Sequence, residues 1–201
     1  MNSAASPHKE DIREHILATG ERIMASKGYS AVGLNEILTE AGVPKGSFYH
    51  YFGSKDAFGV AMLERYFDDY LAAMDRTLGQ SDGTMQQKLM CYWQQWRETQ
   101  SFQTCQGKCL AVKLGAEVAD LSEAMRQTLE KGTAGIISRL TKAIRAGVAE
   151  KSLRTEEQPE QVAESLYQLW VGASIMVKIA RNTRPFDTAM RVTQHMLQPL
   201  S

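Results

Sequence analysis

Five prolines interrupt a chain whose apolar residues otherwise recur at helical spacing, and that combination constrains the fold more than anything else in the sequence. Pro7, Pro44, Pro159, Pro185 and Pro199 lack the backbone N–H that a helix interior requires, so each marks a first turn, a turn between helices or an end. Between them the i, i+3, i+4, i+7 pattern repeats and no run of strict alternation competes with it. The expected fold is all-α. Ile12, Ile16, Thr19 and Ile23 form the stripe of a first helix ending near Lys27-Gly28. Leu34, Ile37, Leu38 and Ala41 repeat the spacing on a short second helix. Gly42-Val43-Pro44 then turns the chain, a third short helix begins near Lys45 and ends by Phe52-Gly53, and Ser54 caps a fourth running from Lys55 to about Leu78.

Beyond a loop at residues 79–83, helices are expected from about Thr84, from Lys108 to Ala119, from Leu121 to about Glu150, from Pro159 to about Arg181, and around Phe186–Leu197. Residues 101–107 read as a break. The helix from Pro159 is apolar almost all round: Val162, Leu166, Leu169, Ala173 and Val177 share one face, while Tyr167, Trp170, Ser174 and Lys178 lie near another. A helix apolar on every side is expected to be buried on every side, and Lys178 in that setting is costly unless exposed or paired.

At 201 residues with 43% hydrophobic and 23% charged side chains, the chain is long enough to bury a core. No stretch approaches 18 uninterrupted apolar residues and no signal-peptide pattern is visible, so a cytoplasmic location and no membrane partner are expected. Three cysteines do not make a disulfide framework. The 23 basic and 23 acidic side chains cancel, which disfavours nucleic-acid binding by bulk charge. A local basic window exists all the same. No acid lies between Glu40 and Asp56, while Lys45, His50 and Lys55 do.

That window falls on two short helices joined by a Gly-containing turn, the outline of a helix-turn-helix at about residues 32–51 whose second helix enters a DNA major groove. Lys45-Gly46-Ser47-Phe48-Tyr49-His50-Tyr51 has the composition for it: backbone amides, a lysine and hydroxyls for phosphate, Tyr, Ser and His for base edges. The alternative is an ordinary pair of helices with Phe48 and Phe52 in a core and the remainder solvated.

The string Gly28-Tyr29, Leu34-x-x-Ile37-Leu38 and Ala41-Gly42-Val43-Pro44-Lys45-Gly46-Ser47-Phe48-Tyr49-His50-Tyr51-Phe52-x-Ser54-Lys55-Asp56-Ala57-Phe58 resembles the N-terminal signature of the TetR family of repressors. The resemblance implies a helix-turn-helix headpiece at 9–69 that binds palindromic double-stranded operator DNA. It also implies a helical core at 70–201 that binds a small-molecule effector and forms a homodimer. Lys45, Gly46, Ser47, Tyr49, His50 and Tyr51 become recognition-helix contacts and Lys55 a phosphate contact. Val32 and Gly33 depart from the hydroxyl residues that the family commonly places before the second helix, which removes a side-chain phosphate contact there.

The second half resembles, within that family, the N-ethylmaleimide-reductase repressor subgroup, through Cys109-Leu110-Ala111-Val112-Lys113-Leu114, Ala116-Glu117-Val118-x-Asp120-Leu121-Ser122-Glu123-x-Met125-Arg126, and Leu169-Trp170-x-Gly172-Ala173 with Lys178-Ile179. The resemblance implies an electrophile or oxidant sensor at Cys109, with Lys178 as a possible partner. The predicted helix N-terminus and the neighbouring Lys108 and Lys113 favour a thiolate there; the alternative is an inert buried thiol. Trp96, Tyr167 and Trp170 are the aromatic candidates for an effector cavity, although such stripes also build cores. Cys91 is expected in the core. A non-covalently held hydrophobic effector is the competing form of the repressor reading. A thiol redox enzyme using Cys105 and Cys109 lacks both C-x-x-C spacing and strand–helix alternation, and an interaction module with a vestigial helix-turn-helix is the third alternative. One cysteine pair without a nearby histidine does not make a zinc site. Neither metal, cofactor nor enzymatic activity is expected.

Overall fold

A computed structural model of the chain describes residues 7–100 and 109–200, with side chains from Asp11 onward. The helices within it are α1 (Pro7–Lys27), α2 (Leu34–Ala41), α3 (Lys45–Phe52), α4 (Lys55–Leu78), α5 (Met85–Thr99), α6 (Leu110–Leu121), α7 (Glu123–Ala149), α8 (Pro159–Ala180) and α9 (Arg184–Met196). The expected all-α class stands. One feature was not expected: Leu153–Arg154 (β1) pairs antiparallel with Gln198–Pro199 (β2), Leu153 opposite Pro199 and Arg154 opposite Gln198. Two residues are too short for alternation to register in a sequence.

Local chemistry sets the helix ends. Gly42 closes α2 in the left-handed region at φ 63°, where a side chain would crowd the backbone, and the Val43 N–H reaches the Leu38 carbonyl at 3.1 Å to satisfy an orphan acceptor. Thr84 and Gln87 cap α5 reciprocally: the Gln87 N–H donates to Thr84 Oγ1 at 3.3 Å and the Thr84 N–H to Gln87 Oε1 at 2.9 Å. Pro159 and Pro185 fall in the first turns of α8 and α9, where a missing N–H costs nothing. The α6 helix begins two residues later than predicted, leaving Cys109 as its N-cap. Lys108, Cys105 and the expected break at 101–107 lie outside the described residues.

Two compact units result. One runs to Phe67 and takes in Cys109–Glu130; the other holds the chain from Asp68 and again from Lys131. The first therefore contains α1–α3, the start of α4, α6 and the start of α7. Its core includes Ile16, Leu17, Met24, Ile37, Phe48, Phe58, Met62, Leu114, Val118 and Met125, all inaccessible to solvent. The α1 and α4 helices approach so closely that a Cβ on Gly20 would collide with the Phe58 ring, which accounts for a glycine inside α1.

The second unit is organised around tryptophan. Trp93 stacks on Trp170 at 5.1 Å and Trp170 on Phe186 at 5.6 Å. The Trp170 Nε1–H donates to Thr193 Oγ1 at 2.9 Å, and the Trp96 Nε1–H to Ser174 Oγ at 3.0 Å, which matches these two buried donors, whereas the buried Trp93 Nε1–H has no hydrogen-bond partner among the described residues. Two sequence expectations change here. Cys91 is exposed, not core, because α5 turns Leu89, Tyr92, Trp93 and Trp96 inward and leaves position 91 outside that stripe. The α8 helix is buried on one side only: Val162, Leu166, Tyr167, Trp170, Ala173 and Val177 face in, whereas Ile175, Met176 and Ile179 are exposed, Ile179 by 69%.

Candidate DNA-binding surface and sensor residues

The α3 helix divides its side chains between the core and the surface. Phe48 and Phe52 are buried and meet Phe58 at 5.3 and 5.0 Å between ring centroids. Lys45, Gly46, Tyr49 and His50 are exposed, and Ser47 and Tyr51 half-exposed. All six predicted recognition contacts thus share one helix anchored by its phenylalanines, with Lys45 Nζ 5.8 Å from the Tyr49 ring centre. Nothing lies within 4 Å of a Cβ placed on Gly46, so no neighbour inside the protein demands a glycine. Gly33 caps α2 in extended geometry without a side-chain bond, and Val32 is fully buried.

Lys55 is more enclosed. Its Nζ donates to the Tyr29 carbonyl at 2.9 Å and lies 4.4 Å from the Tyr29 ring centre. Partial burial lowers its pKa, against the raising influence of Glu117 and Asp56. The Tyr29 hydroxyl donates to the Lys55 carbonyl at 3.1 Å and lies 3.3 Å from Asp56 Oδ1; burial, followed by the Asp56 charge, raises its pKa well above the ordinary phenol value.

Sequence reasoning missed Glu117, which completes this cluster. Its carboxylate accepts the Tyr29 N–H at 3.1 Å and the Ser30 N–H at 2.7 Å, so α6 holds the segment between α1 and α2. Burial alone would raise its pKa, but the bonds from Ser30 and Tyr29, helped by Lys113, bring it below the ordinary carboxylate value. The only available signal was one acid within a helix, and its partners are 87 and 88 residues away.

Cys109 sits two turns before Glu117 on the same helix. It is 3% exposed, and as N-cap its carbonyl accepts the Lys113 N–H at 3.0 Å. Among the described residues, no group of three or more His, Cys, Asp or Glu is placed to hold a metal.

Trp96, Tyr167 and Trp170 come together in the second unit, with Trp96 6.0 Å from Tyr167 and 6.3 Å from Trp170. Trp96 also lines a cavity of about 230 Å³ between α4 and α5, which Tyr167 and Trp170 do not reach. Lys178 is half-exposed near the end of α8.

Comparison with known proteins agrees with this geometry. Residues 16–62 match the family described as bacterial regulatory proteins, tetR family, and residues 86–193 match the tetracyclin repressor-like C-terminal domain. The HTH-type transcriptional repressor NemR of Escherichia coli (strain K12) is 42% identical over 193 residues, covering 94% of this chain and 95% of that one. The HTH-type transcriptional repressor DhaR of Mycobacterium sp. (strain GP1) is 31% identical, covering 94% and 93%. The crystal structure of reduced E. coli NemR superposes with a TM-score of 0.90, covering 95% of this chain and 99% of that chain. No helix among the described residues is long and apolar enough to cross a membrane.

Proposed function

The chain belongs to the TetR family of transcriptional repressors, and from that premise we propose that it releases its operator when a reactive electrophile or oxidant modifies Cys109. The observation that carries this reading is the shared helix: Cys109 caps the N-terminus of α6, which two turns on binds the α1–α2 segment through Glu117. A change of volume or charge at a buried N-cap acts where packing tolerates little, on the element that holds the headpiece.

The chemistry follows from the thiolate. It adds to the ring carbon of a quinone, and solvent returns the proton to the quinone oxygen. Hypochlorous acid instead transfers chlorine to sulfur and leaves hydroxide. An amine that reaches the chlorinated sulfur displaces chloride, forms an S–N bond and gives up a proton. Lys178 is the amine proposed. Either product must be better accommodated when the headpiece is off DNA, because a modification tolerated equally in both states shifts nothing.

The unmodified protein acts as a homodimer on a palindromic site, placing two recognition helices about one helical turn, ~34–36 Å, apart. Lys45, Gly46, Ser47, Tyr49, His50 and Tyr51 face the groove. Lys55 contacts phosphate with the Nζ protons that its bond to Tyr29 leaves over. The 9–69 segment reads DNA, and 70–201 carries dimerisation and effector response. Operator titration before and after benzoquinone or hypochlorite, with wild-type and Cys109→Ser proteins side by side, tests the proposal. Equal release from both proteins overturns it.

A further inference from the structure

The arginines of the first unit are matched to carboxylates, with one exception. Arg22 meets Glu40 at 2.7 Å, Arg65 pairs with Glu14 and Glu21, and Arg126 pairs with Glu123 and Glu130. Arg13 on α1 is exposed, and among the described residues it has neither a carboxylate nor a hydrogen-bond acceptor. Its guanidinium instead lies 5.5 Å from the ring centre of Phe52, the buried last residue of α3.

We propose that Arg13 is a DNA phosphate contact, held by Phe52 at the flank of α3. The proposal rests on the repressor reading and extends its interface from α3 and α4 to α1. Position supports it. The Phe52 ring lies 6.2 Å from that of Tyr51, and Tyr51 lies 5.1 Å from His50, so the cation stands beside the last turn of the helix proposed to enter the groove. An α-helix with its side chains is about 10–12 Å across, and a major groove is about 12 Å wide. A helix that fills the groove leaves phosphates, not base edges, at its flanks. A cation set off from α3 by one aromatic ring therefore meets the DNA backbone. His15, in the same turn of α1, has its Nε2 3.1 Å from the Ala41 carbonyl. That turn is thus fastened to the end of α2 as well as to α3, which carries Arg13 on the helix-turn-helix framework.

Chemistry points the same way. An aromatic ring beneath a guanidinium restrains the side chain and takes up none of the acceptor-seeking N–H groups. The planar fork of those donors matches two oxygens of one phosphate. Arg13 also adds an unneutralised cation beside the acid-free window between Glu40 and Asp56, in a chain whose charges otherwise cancel. Phosphate supplies the missing counter-charge. A contact of this kind carries no sequence information, so its signature is electrostatic.

The test uses full-length protein and two duplexes of equal length, one enriched by the wild-type protein from a random-sequence pool and one of unrelated sequence. Anisotropy titrations across about 50–200 mM salt give the affinity and its salt slope for each. Arg13→Met removes the cation but keeps an apolar chain against Phe52, so its melting curve should match that of wild type. It is expected to bind both duplexes about tenfold more weakly or worse, with a slope of log affinity against log salt shallower by about 1 per bound protomer. Arg13→Lys retains the charge and should keep the wild-type slope. A wild-type slope in Arg13→Met, or a loss of affinity confined to the enriched duplex, overturns the proposal. Failure of the wild-type protein to enrich any sequence counts instead against the repressor reading, and the unrelated duplex still reports on Arg13.

Discussion

Glu117 on α6 accepts the backbone N–H of Tyr29, just past the end of α1, at 3.1 Å, and the adjacent Ser30 N–H at 2.7 Å. Two amides leaving a helix are thereby matched to a carboxylate from a distant part of the chain. Hydrogen bonds to charged groups contribute about 1.5–3 kcal/mol each. Glu117→Ala is expected to lower stability by about 1–3 kcal/mol and to weaken operator binding without touching the recognition helix. Urea unfolding and mobility shift measure the two effects. Full operator affinity in a folded Glu117→Ala protein would show that the headpiece does not depend on this link.

The same residue carries a pH signature. Its folded pKa is lowered, so its stabilisation is present above the unfolded carboxylate value of about 4.3 and is lost as pH falls through the lower folded value. The stability gap between wild type and Glu117→Ala should therefore be constant from pH 7 to 5 and shrink on further acidification. A gap that widens in acid contradicts the assignment.

On the DNA surface, Tyr49→Ala and Lys45→Ala should each weaken operator binding while circular dichroism stays unchanged. Gly46→Ala is the sharper test. No atom lies within 4 Å of the added Cβ, so the fold should be unaffected or slightly stabilised, by up to about 1 kcal/mol. Operator affinity should fall if phosphate or base approaches that backbone. Unaltered affinity in all three variants would remove α3 from the interface.

For the sensor, Cys109→Ser should bind operator normally and resist release by quinone or hypochlorite. Cys91→Ser should respond like wild type, although Cys91 is the more exposed thiol. The contrast separates a sensing role from mere access. If removal of Cys91 rather than Cys109 blocks release, the reactive centre lies on α5.

Ile175, Met176 and Ile179 leave an apolar stripe on α8 uncovered in the single chain. In a dimer that stripe is expected to be buried, so Ile179→Glu or Met176→Glu should give monomers that retain helicity in analytical ultracentrifugation. Dimers of unchanged affinity in both variants would place the interface elsewhere.

In the core, Thr193 is fully buried, accepts the Trp170 indole N–H and donates to the Ala189 carbonyl at 2.8 Å. Thr193→Val preserves volume but orphans the indole donor, which should cost about 1–3 kcal/mol. Denaturant titration measures it; a neutral result would mean that the indole finds another acceptor.

The order and limits of the helices could be read from residues alone because the information is local. Pro44, Pro159 and Pro185 forbid continuation, Gly42 supplies a left-handed cap, and apolar residues three and four apart declare the inward face, each within one or two turns of its effect. The α3 helix, proposed to read DNA, was legible as a helix for the same reason: eight consecutive residues hold both its phenylalanine anchor and its exposed polar face. Tertiary structure alone decided what joins across the chain. It brought Glu117 to Tyr29, paired Leu153 with Pro199, turned Cys91 outward and left one side of α8 open. Each depends on where separate helices come to rest. A hydrogen bond between residues 88 positions apart requires its donors and acceptor to meet in space, and no periodicity along either segment encodes that meeting.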